Sequence, residues 1–171
     1  LPPEVVRLVE AAEASTIAGI KLACGGLYFP AASWVNPPAL CQALASHDNI
    51  KLLTSTNALK LQRNADGWQV WNAETALAEA PVVIIAGAND TASFPQSAHL
   101  PLESVRGQIT LVPMTEASQR LRAIVCTDGY VSPQRNGLHC LGATFSHGDL
   151  SKEISRHDHA KNLAMLRGLL P

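Results

Sequence analysis

The spacing of apolar positions changes several times along the chain, and each change marks an element. Val5, Val6, Leu8, Val9, Ala12 and Ile17 recur at roughly helical spacing. Glu4, Glu10 and Glu13 fall off that face and Gly19 is a suitable stop, so the pattern predicts an N-terminal helix after Pro2-Pro3. Lys21–Phe29 reads as a strand that carries the pair Gly25-Gly26 and ends at Pro30, which cannot donate to a ladder. Trp34 and Val35 resume an extended run. Asn36 stands where a helix cap belongs, Pro37 and Pro38 suit a first turn, and Ala39, Leu40, Ala43 and Leu44 continue at helical spacing to the turn cluster His47-Asp48-Asn49.

The middle of the chain reads as strands. Ile50–Thr54 is a short apolar run. Asn57–Arg63 and Trp68–Trp71 partly alternate about Asn64-Ala65-Asp66-Gly67, a hairpin signal, and Thr75–Glu79 supplies a third strand. Pro81–Ala86 is continuously apolar, the pattern of a strand buried on both faces, and Gly87 is expected to turn the chain after it. Residues 94–101 are irregular. Strands follow at Ser104–Val112, Leu121–Cys126, Tyr130–Ser132 and Leu138–Thr144, with Asp128-Gly129 and Asn136-Gly137 at turns. Ser151–Pro171 returns to helix, with Ser155 and Asp158 spaced as a capping box and Leu163, Leu166 and Leu170 on one face. Strands in the middle and helices at the ends predict an α+β fold with a mainly antiparallel sheet flanked by helices.

Composition narrows the function classes. A chain of 171 residues can bury one sizeable core or two small lobes. No apolar run approaches the ~20 residues of a membrane helix. The chain opens mid-pattern, without a signal segment, and is read as a piece of a longer protein. Thirteen basic and fourteen acidic residues are spread evenly, so no basic stripe marks a nucleic-acid binder; Arg120, Arg122 and Arg135 make at most a small patch. Cys24, Cys41, Cys126 and Cys140 lack a Cys-x-x-Cys pair and sit in apolar settings, which predicts buried free thiols. The six histidines have no zinc-like spacing, so no metal site is expected. There is no Gly-x-Ser-x-Gly elbow, no P-loop and no Gly-x-Gly-x-x-Gly fingerprint.

Four stretches, in order, carry a family resemblance: Gly25-Gly26-Leu27-Tyr28-Phe29-Pro30 through Trp34-Val35-Asn36-Pro37-Pro38-Ala39-Leu40-Cys41-Gln42; Val83-Ile84-Ile85-Ala86-Gly87-Ala88; Val105-Arg106-Gly107-Gln108; and Asp128-Gly129-Tyr130-Val131-Ser132-Pro133 with Cys140-Leu141-Gly142-Ala143-Thr144. Together they resemble the flavin-dependent oxidase module of the bifunctional enzymes that finish methylaminomethyl-thiouridine at the tRNA wobble position. That module is similar to glycine oxidase and D-amino acid oxidase.

The resemblance implies a middle fragment, with residues 1–36 and 101–171 in a substrate lobe and 37–100 in the inner part of the FAD lobe. It implies a cytoplasmic parent that oxidises the carboxymethylaminomethyl group of a wobble uridine with FAD. A methyltransferase domain of the same chain would then act with S-adenosylmethionine. Asn57, Ala58, Ala86, Gly87 and Ala88 are the implied cofactor contacts, and Gly26, Arg106 and Tyr130 the implied substrate contacts. Because the glycine fingerprint that anchors the pyrophosphate is missing here, this piece alone is expected to retain no FAD. Catalytic residues and oligomeric state are not read.

On the residues alone, Ala86-Gly87-Ala88 is equally a strand-ending turn. Tyr130 is a half-buried strand tyrosine and Arg106 half of a surface ion pair. A non-catalytic β-rich module that binds a small molecule or a partner stands as the alternative.

Overall fold

A computed structural model describes residues 1–169, with side chains to residue 167. Its elements in chain order are β1 (Arg7–Val9), α1 (Ala11–Ala18), β2 (Gly26–Tyr28), α2 (Pro37–Ala45), β3 (Lys60–Arg63), β4 (Trp68–Trp71), β5 (Ala76–Ala80), β6 (Val105–Pro113), β7 (Val125–Cys126), β8 (Tyr130–Val131), β9 (Leu138–His147) and α3 (Arg156–Leu169). Short 3₁₀ turns occupy Ala88–Ser93 and Ser118–Arg120. Every ladder is antiparallel, as expected for the α+β class. The chain resolves into two compact units, residues 1–36 with 105–171, and residues 37–104.

In the first unit the main sheet has the order β6-β9-β8-β7. Residues of β6 alternate between its faces. Gln108 and Thr110 meet α3 through hydrogen bonds, and Val112 packs on a core of Ala18, Leu121, Val131 and Leu141, with Leu166 of α3 and Ile20 and Leu22 beside it. Leu141, 1% exposed, is the centre of that core. Between Leu141 and Thr144, two residues of β9, Gly142 and Ala143, oppose Ile109 alone, one more than a regular ladder would hold. This bulge restores the in–out phase of β9, so that Thr144 is buried and Phe145 exposed. The β8–β9 hairpin closes on Asn136 (φ 53°) and Gly137 (φ 77°), the two left-handed positions of a type I′ turn.

A ladder of β1 with β2 completes this unit, with Arg7 opposite Tyr28 and Val9 opposite Gly26. α1 ends at Gly19 in the left-handed region (φ 80°). Arg122 caps the same end: its side chain donates to the carbonyls of Thr16 and Ile17 and its amide to that of Ala18. The Ser155 cap of α3 forms as expected, its hydroxyl accepting from the Asp158 amide at 3.2 Å. The return bond of the box does not, because Gln108 Oε1 takes the Ser155 amide instead. Leu163 is exposed and Leu166 reaches the core, while Leu170 lies outside the described residues.

The second unit holds α2 and the meander β3-β4-β5. Asn64 forms the expected hairpin: its side-chain oxygen accepts from the amides of Asp66 and Gly67. Asn64 and Gln69 both donate to Glu79 across the exposed face of the meander, and these bonds hold the Glu79 carboxyl below its ordinary range.

Several sequence expectations fail here, for related reasons. The first part of the predicted N-terminal helix is instead β1, because pairing with β2 overrides a helical spacing built on β-branched valines. Lys21–Phe29 pairs only over Gly26–Tyr28, and Trp34-Val35 forms no strand. Leu121–Cys126 is a strand only at Val125–Cys126, since the bonds to the end of α1 draw the Leu121–Arg122 segment aside. Ile50–Thr54 and Pro81–Ala86 form no strand. Val82 and Ile84 are 73% and 86% exposed, so the double burial expected of that run is absent. An apolar run becomes a strand only where another strand takes its amide and carbonyl groups.

Candidate active site

The face of the main sheet opposite α3 is uncovered and apolar. Val105, Ile109 and Leu111 of β6 are exposed there. Leu111 is paired with Cys140, and Gly107 with Phe145, which is 71% exposed. Directly paired residues share a face. Tyr130 of β8 lies opposite Gly142 of β9 on one side and Cys126 of β7 on the other.

Gly142 leaves room for the Tyr130 ring. A Cβ on Gly142 would lie 3.2 Å from Tyr130 Oη and 3.1 Å from Ile109 Cγ2. With no side chain opposite, the ring reaches diagonally to Cys140, where Oη and Sγ are 3.7 Å apart. Burial, reinforced by the Cys140 hydrogen bond, pushes the Tyr130 phenol up to about 12. The group is therefore a neutral phenol at physiological pH, able to donate a hydrogen bond to an anionic ligand. Burial also pushes the Cys126 thiol up, which keeps it protonated.

Gly26 lies in a groove of about 210 Å³ lined in part by Cys24, Gly25, Gly26, Cys126 and Thr127. Cys126 belongs to this groove and is also paired with Tyr130, so the structure brings Gly26 and Tyr130 to one neighbourhood of the first unit. The two adjacent glycines differ in kind. A Cβ on Gly25 would lie 2.1 Å from the Val9 carbonyl oxygen, so this glycine is required by the β1–β2 crossing. A Cβ on Gly26 would meet nothing within 4 Å, so the fold itself makes no demand there.

Arg106 belongs to the opposite face. Its Nη1 lies 2.6 Å from Asp158 Oδ2, and its other nitrogens donate to Gln108 Oε1 and to the carbonyls of Ser151 and Glu153. Both side chains of the Arg106–Asp158 pair are largely buried. Hydrogen bonding from Arg106 holds the Asp158 carboxyl below its ordinary range, against the upward push of burial. This geometry gives Arg106 a different use from that expected: it docks α3 on the sheet. It is also not the surface ion pair that the residues alone suggested.

In the second unit, Asn57 and Ala58 lie on the exposed segment before β3, and Ala86, Gly87 and Ala88 on exposed backbone leading into a 3₁₀ turn. The sharp turn expected at Gly87 falls one residue later. Gly87 has φ −91°, which any residue adopts, whereas Ala88 has φ 49°. No other atom lies closer than 3.4 Å to where a Gly87 Cβ would be, so the second unit itself hardly needs this glycine.

The thiols are more accessible than expected. Cys24, Cys41 and Cys126 are exposed and only Cys140 is partly buried, because the faces that carry them lack cover. Among the described residues no three metal-ligating side chains converge, and no helix is long and apolar enough to cross a membrane. A larger groove, about 970 Å³, has no signature in the sequence. It is lined by residues of the α1 end and the loop after β6, among them Lys21, Ser118, Arg120, Arg122 and His139. His139 is held there by the Ser132 carbonyl and the Ser118 hydroxyl. No motif marks this groove, because its residues are far apart in the chain.

The family model for FAD dependent oxidoreductase matches residues 1–171. Among curated proteins, the chain is 48% identical over 170 residues to the tRNA 5-methylaminomethyl-2-thiouridine biosynthesis bifunctional protein MnmC of Methylobacillus flagellatus, covering 99% of this chain and 26% of that protein. It is 46% identical to the protein of the same name from Chromobacterium violaceum, covering all of this chain and 26% of the relative. The chain thus spans about a quarter of the length of these relatives. Among solved structures it is similar to glycine oxidase from Geobacillus kaustophilus (TM-score 0.81, 22% identity, covering 98% of this chain and 47% of that one). Glycine oxidase from Bacillus cereus also gives a TM-score of 0.81, at 19% identity over 98% of this chain and 49% of that one. These structures share the fold. With a family model matched along its whole length, the chain belongs to the FAD dependent oxidoreductases.

Proposed function

We propose that this chain is part of a flavoprotein that oxidises the carboxymethylaminomethyl group of a wobble uridine in tRNA, and that its uncovered sheet face is one wall of the substrate chamber. The observation that carries the reading is Tyr130: a neutral phenol on an exposed apolar sheet face, beside the groove that holds Gly26. The substrate group pairs a secondary amine with a carboxylate, and a phenol in an apolar setting recognises a carboxylate by donating to it. Ile109, Leu111 and Phe145 around it supply the apolar surface that excludes water from the reacting C–N bond. Gly26 leaves space for the substrate, because nothing in the chain fills the position of its missing side chain.

The second unit fits a share of the cofactor contacts. Asn57, Ala58, Ala86, Gly87 and Ala88 present exposed backbone, and Gly87 lacks a side chain that its own fold would tolerate. FAD, when bound, supplies the hydride acceptor for the oxidation. The names of the relatives support a bifunctional parent, in which a methyltransferase domain of the same polypeptide acts on the amine released here. Arg106 enters through α3, which it holds on the back of the sheet.

The test is steady-state kinetics of the full-length flavoprotein on tRNA carrying the carboxymethylaminomethyl group. A hydrogen bond to a charged group is worth enough that Tyr130→Phe should raise KM about tenfold or more, with flavin content unchanged. An unaltered KM and kcat in that variant would remove the reading.

A further inference from the structure

The groove of about 970 Å³ in the first unit has only basic residues among its charged lining. Lys21, Arg120 and Arg122 stand there, and among the described residues none of the three forms an ion pair. A carboxylate, Glu116, borders the adjoining recess, which shares Arg120. The chain as a whole carries a net charge of −1, so this is a local excess that the even spread of charge along the sequence hides. We propose that the groove holds phosphodiester groups of the tRNA backbone, outside the wobble nucleotide, on Lys21, Arg120 and Arg122. The proposal rests on the tRNA substrate proposed above and adds a second contact surface for it.

The fold itself gathers these cations from segments about a hundred residues apart. Gly19 ends α1, and a Cβ on it would lie 2.2 Å from the Arg120 carbonyl oxygen, so glycine here lets the Lys21 and Arg120 segments close on each other. Arg122 ties them further through its bonds to the Thr16, Ile17 and Ala18 carbonyls. Those bonds also offset the negative end of the α1 dipole, which would otherwise repel an anion. His139, 3% exposed, holds Ser118 Oγ at 2.9 Å and so anchors the turn that carries Arg120. Lys21 and Arg120 are exposed. Between them the lining is aliphatic, with Val112, Leu121 and Val131. A groove that pairs cations with apolar surface suits a nucleic-acid strand, whose phosphates take the charges while sugar and base faces rest on the rest. Val112 and Val131 follow Leu111 and Tyr130 on their strands, and successive strand residues face opposite sides. The groove is therefore behind the substrate face, where it meets a different part of the RNA from the reacting nucleotide.

The experiment measures equilibrium binding of tRNA to the full-length flavoprotein at several salt concentrations, with thermal unfolding and flavin absorbance as controls. Arg122 is left in place because it caps α1. Lys21→Gln and Arg120→Gln should each weaken binding at low salt and reduce the slope of log affinity against log salt by about 1, and the double variant by about 2. Between about 50 and about 200 mM salt, each variant should thus lose about threefold less affinity than the native protein. At saturating tRNA, kcat should stay within about twofold of native, since the groove is behind the reacting face. Tyr130→Phe, which removes no charge, should leave the slope unchanged. Lys161→Gln, an exposed site on α3 outside the groove, should leave it unchanged too. If the native protein neither binds nor oxidises the tRNA, the proposed function fails and the groove with it. If it does both but Lys21→Gln and Arg120→Gln keep the native slope, the groove alone is overturned. The same follows if Lys161→Gln lowers the slope equally, or if the two groove variants lower the unfolding midpoint without changing the slope, as flanking chain seated in the groove would require.

Discussion

Gly25 and Gly26 are neighbours of identical chemistry, and the structure assigns them opposite consequences on substitution by alanine. Neither lies in the left-handed region, so backbone conformation does not distinguish them. Space does. At Gly25 the added methyl would lie 2.1 Å from the Val9 carbonyl oxygen and 2.9 Å from Glu10 Cα. Both are backbone atoms where β1 ends and the chain enters α1, so the conflict is relieved only by separating β2 from β1. Overpacking of this kind costs typically 1–3 kcal/mol, and a collision with fixed backbone belongs near the upper end, about 3 kcal/mol. Gly25→Ala should therefore lower the unfolding midpoint, with the loss of protection centred on β1 and β2.

Gly26→Ala meets nothing within 4 Å. Its effect on stability should fall between zero and a gain of about 1 kcal/mol, from reduced freedom of the unfolded chain. Its methyl would, however, stand in the groove shared with Cys126 and Thr127. The expected phenotype is therefore a normal unfolding midpoint with a raised KM for the tRNA substrate. The assay is thermal unfolding of the full-length protein, paired with hydrogen exchange of the β1 and β2 amides to locate the change, and kinetics on the same preparations. A stable Gly25→Ala protein, or a Gly26→Ala protein that loses protection in β1 as Gly25→Ala does, would refute the reasoning.

Two further outcomes follow from the same geometry. Gly142→Ala should displace the Tyr130 ring, since the methyl would lie 3.1–3.3 Å from Ile109 and the ring; KM should rise with a modest loss of midpoint, and an unchanged KM would show that the ring position is immaterial. Asp158 titrates below its ordinary range in the folded state, so its contribution to stability is complete above the unfolded carboxylate value near 4 and is lost as pH falls through the lower folded value. Asp158→Asn should therefore be less stable than the native protein at neutral pH and lose less stability on acidification, which urea midpoints at pH 7 and pH 3 would check.

What could be read from the sequence was local. Asn64 to Gly67, Asn136-Gly137 and Ser155 each announce a turn or cap through side chains only a few residues apart, and each forms. The alternation in β6 was legible because every second residue is less exposed than its neighbours, with Thr110 fully buried. What was misread depends on partners far along the chain. Val5 to Val9 lost its helix to a strand some twenty residues away, and Arg106 found Asp158 fifty-two residues on, where no motif connects them. The sequence points to Gly87 for the turn after the apolar run because glycine is the residue expected there, yet the left-handed φ falls on Ala88. Tyr130 and Gly26 came from resemblance, whereas nothing in the sequence set Phe145 apart as an exposed residue, because a phenyl ring on a strand looks like ordinary core.

The misreadings share a physical cause that bears on function. Val82 and Ile84 in the second unit, and Leu111 and Phe145 in the first, have the apolarity of buried residues and the exposure of surface ones. Apolar surface and unpaired strand edges on this scale are ordinarily covered, by a ligand, a partner or further chain. Gly26 and Gly87 make the same point through absence of bulk: neither backbone angle nor crowding within its own unit calls for glycine. Residues whose properties the fold does not require need a reason outside it. On the function proposed above, the sheet face around Tyr130 would keep a substrate dry, and the segment around Gly87 would let a cofactor approach the backbone. The Gly25 and Gly26 pair separates these two kinds of requirement within two residues, which is why it is the sharper test.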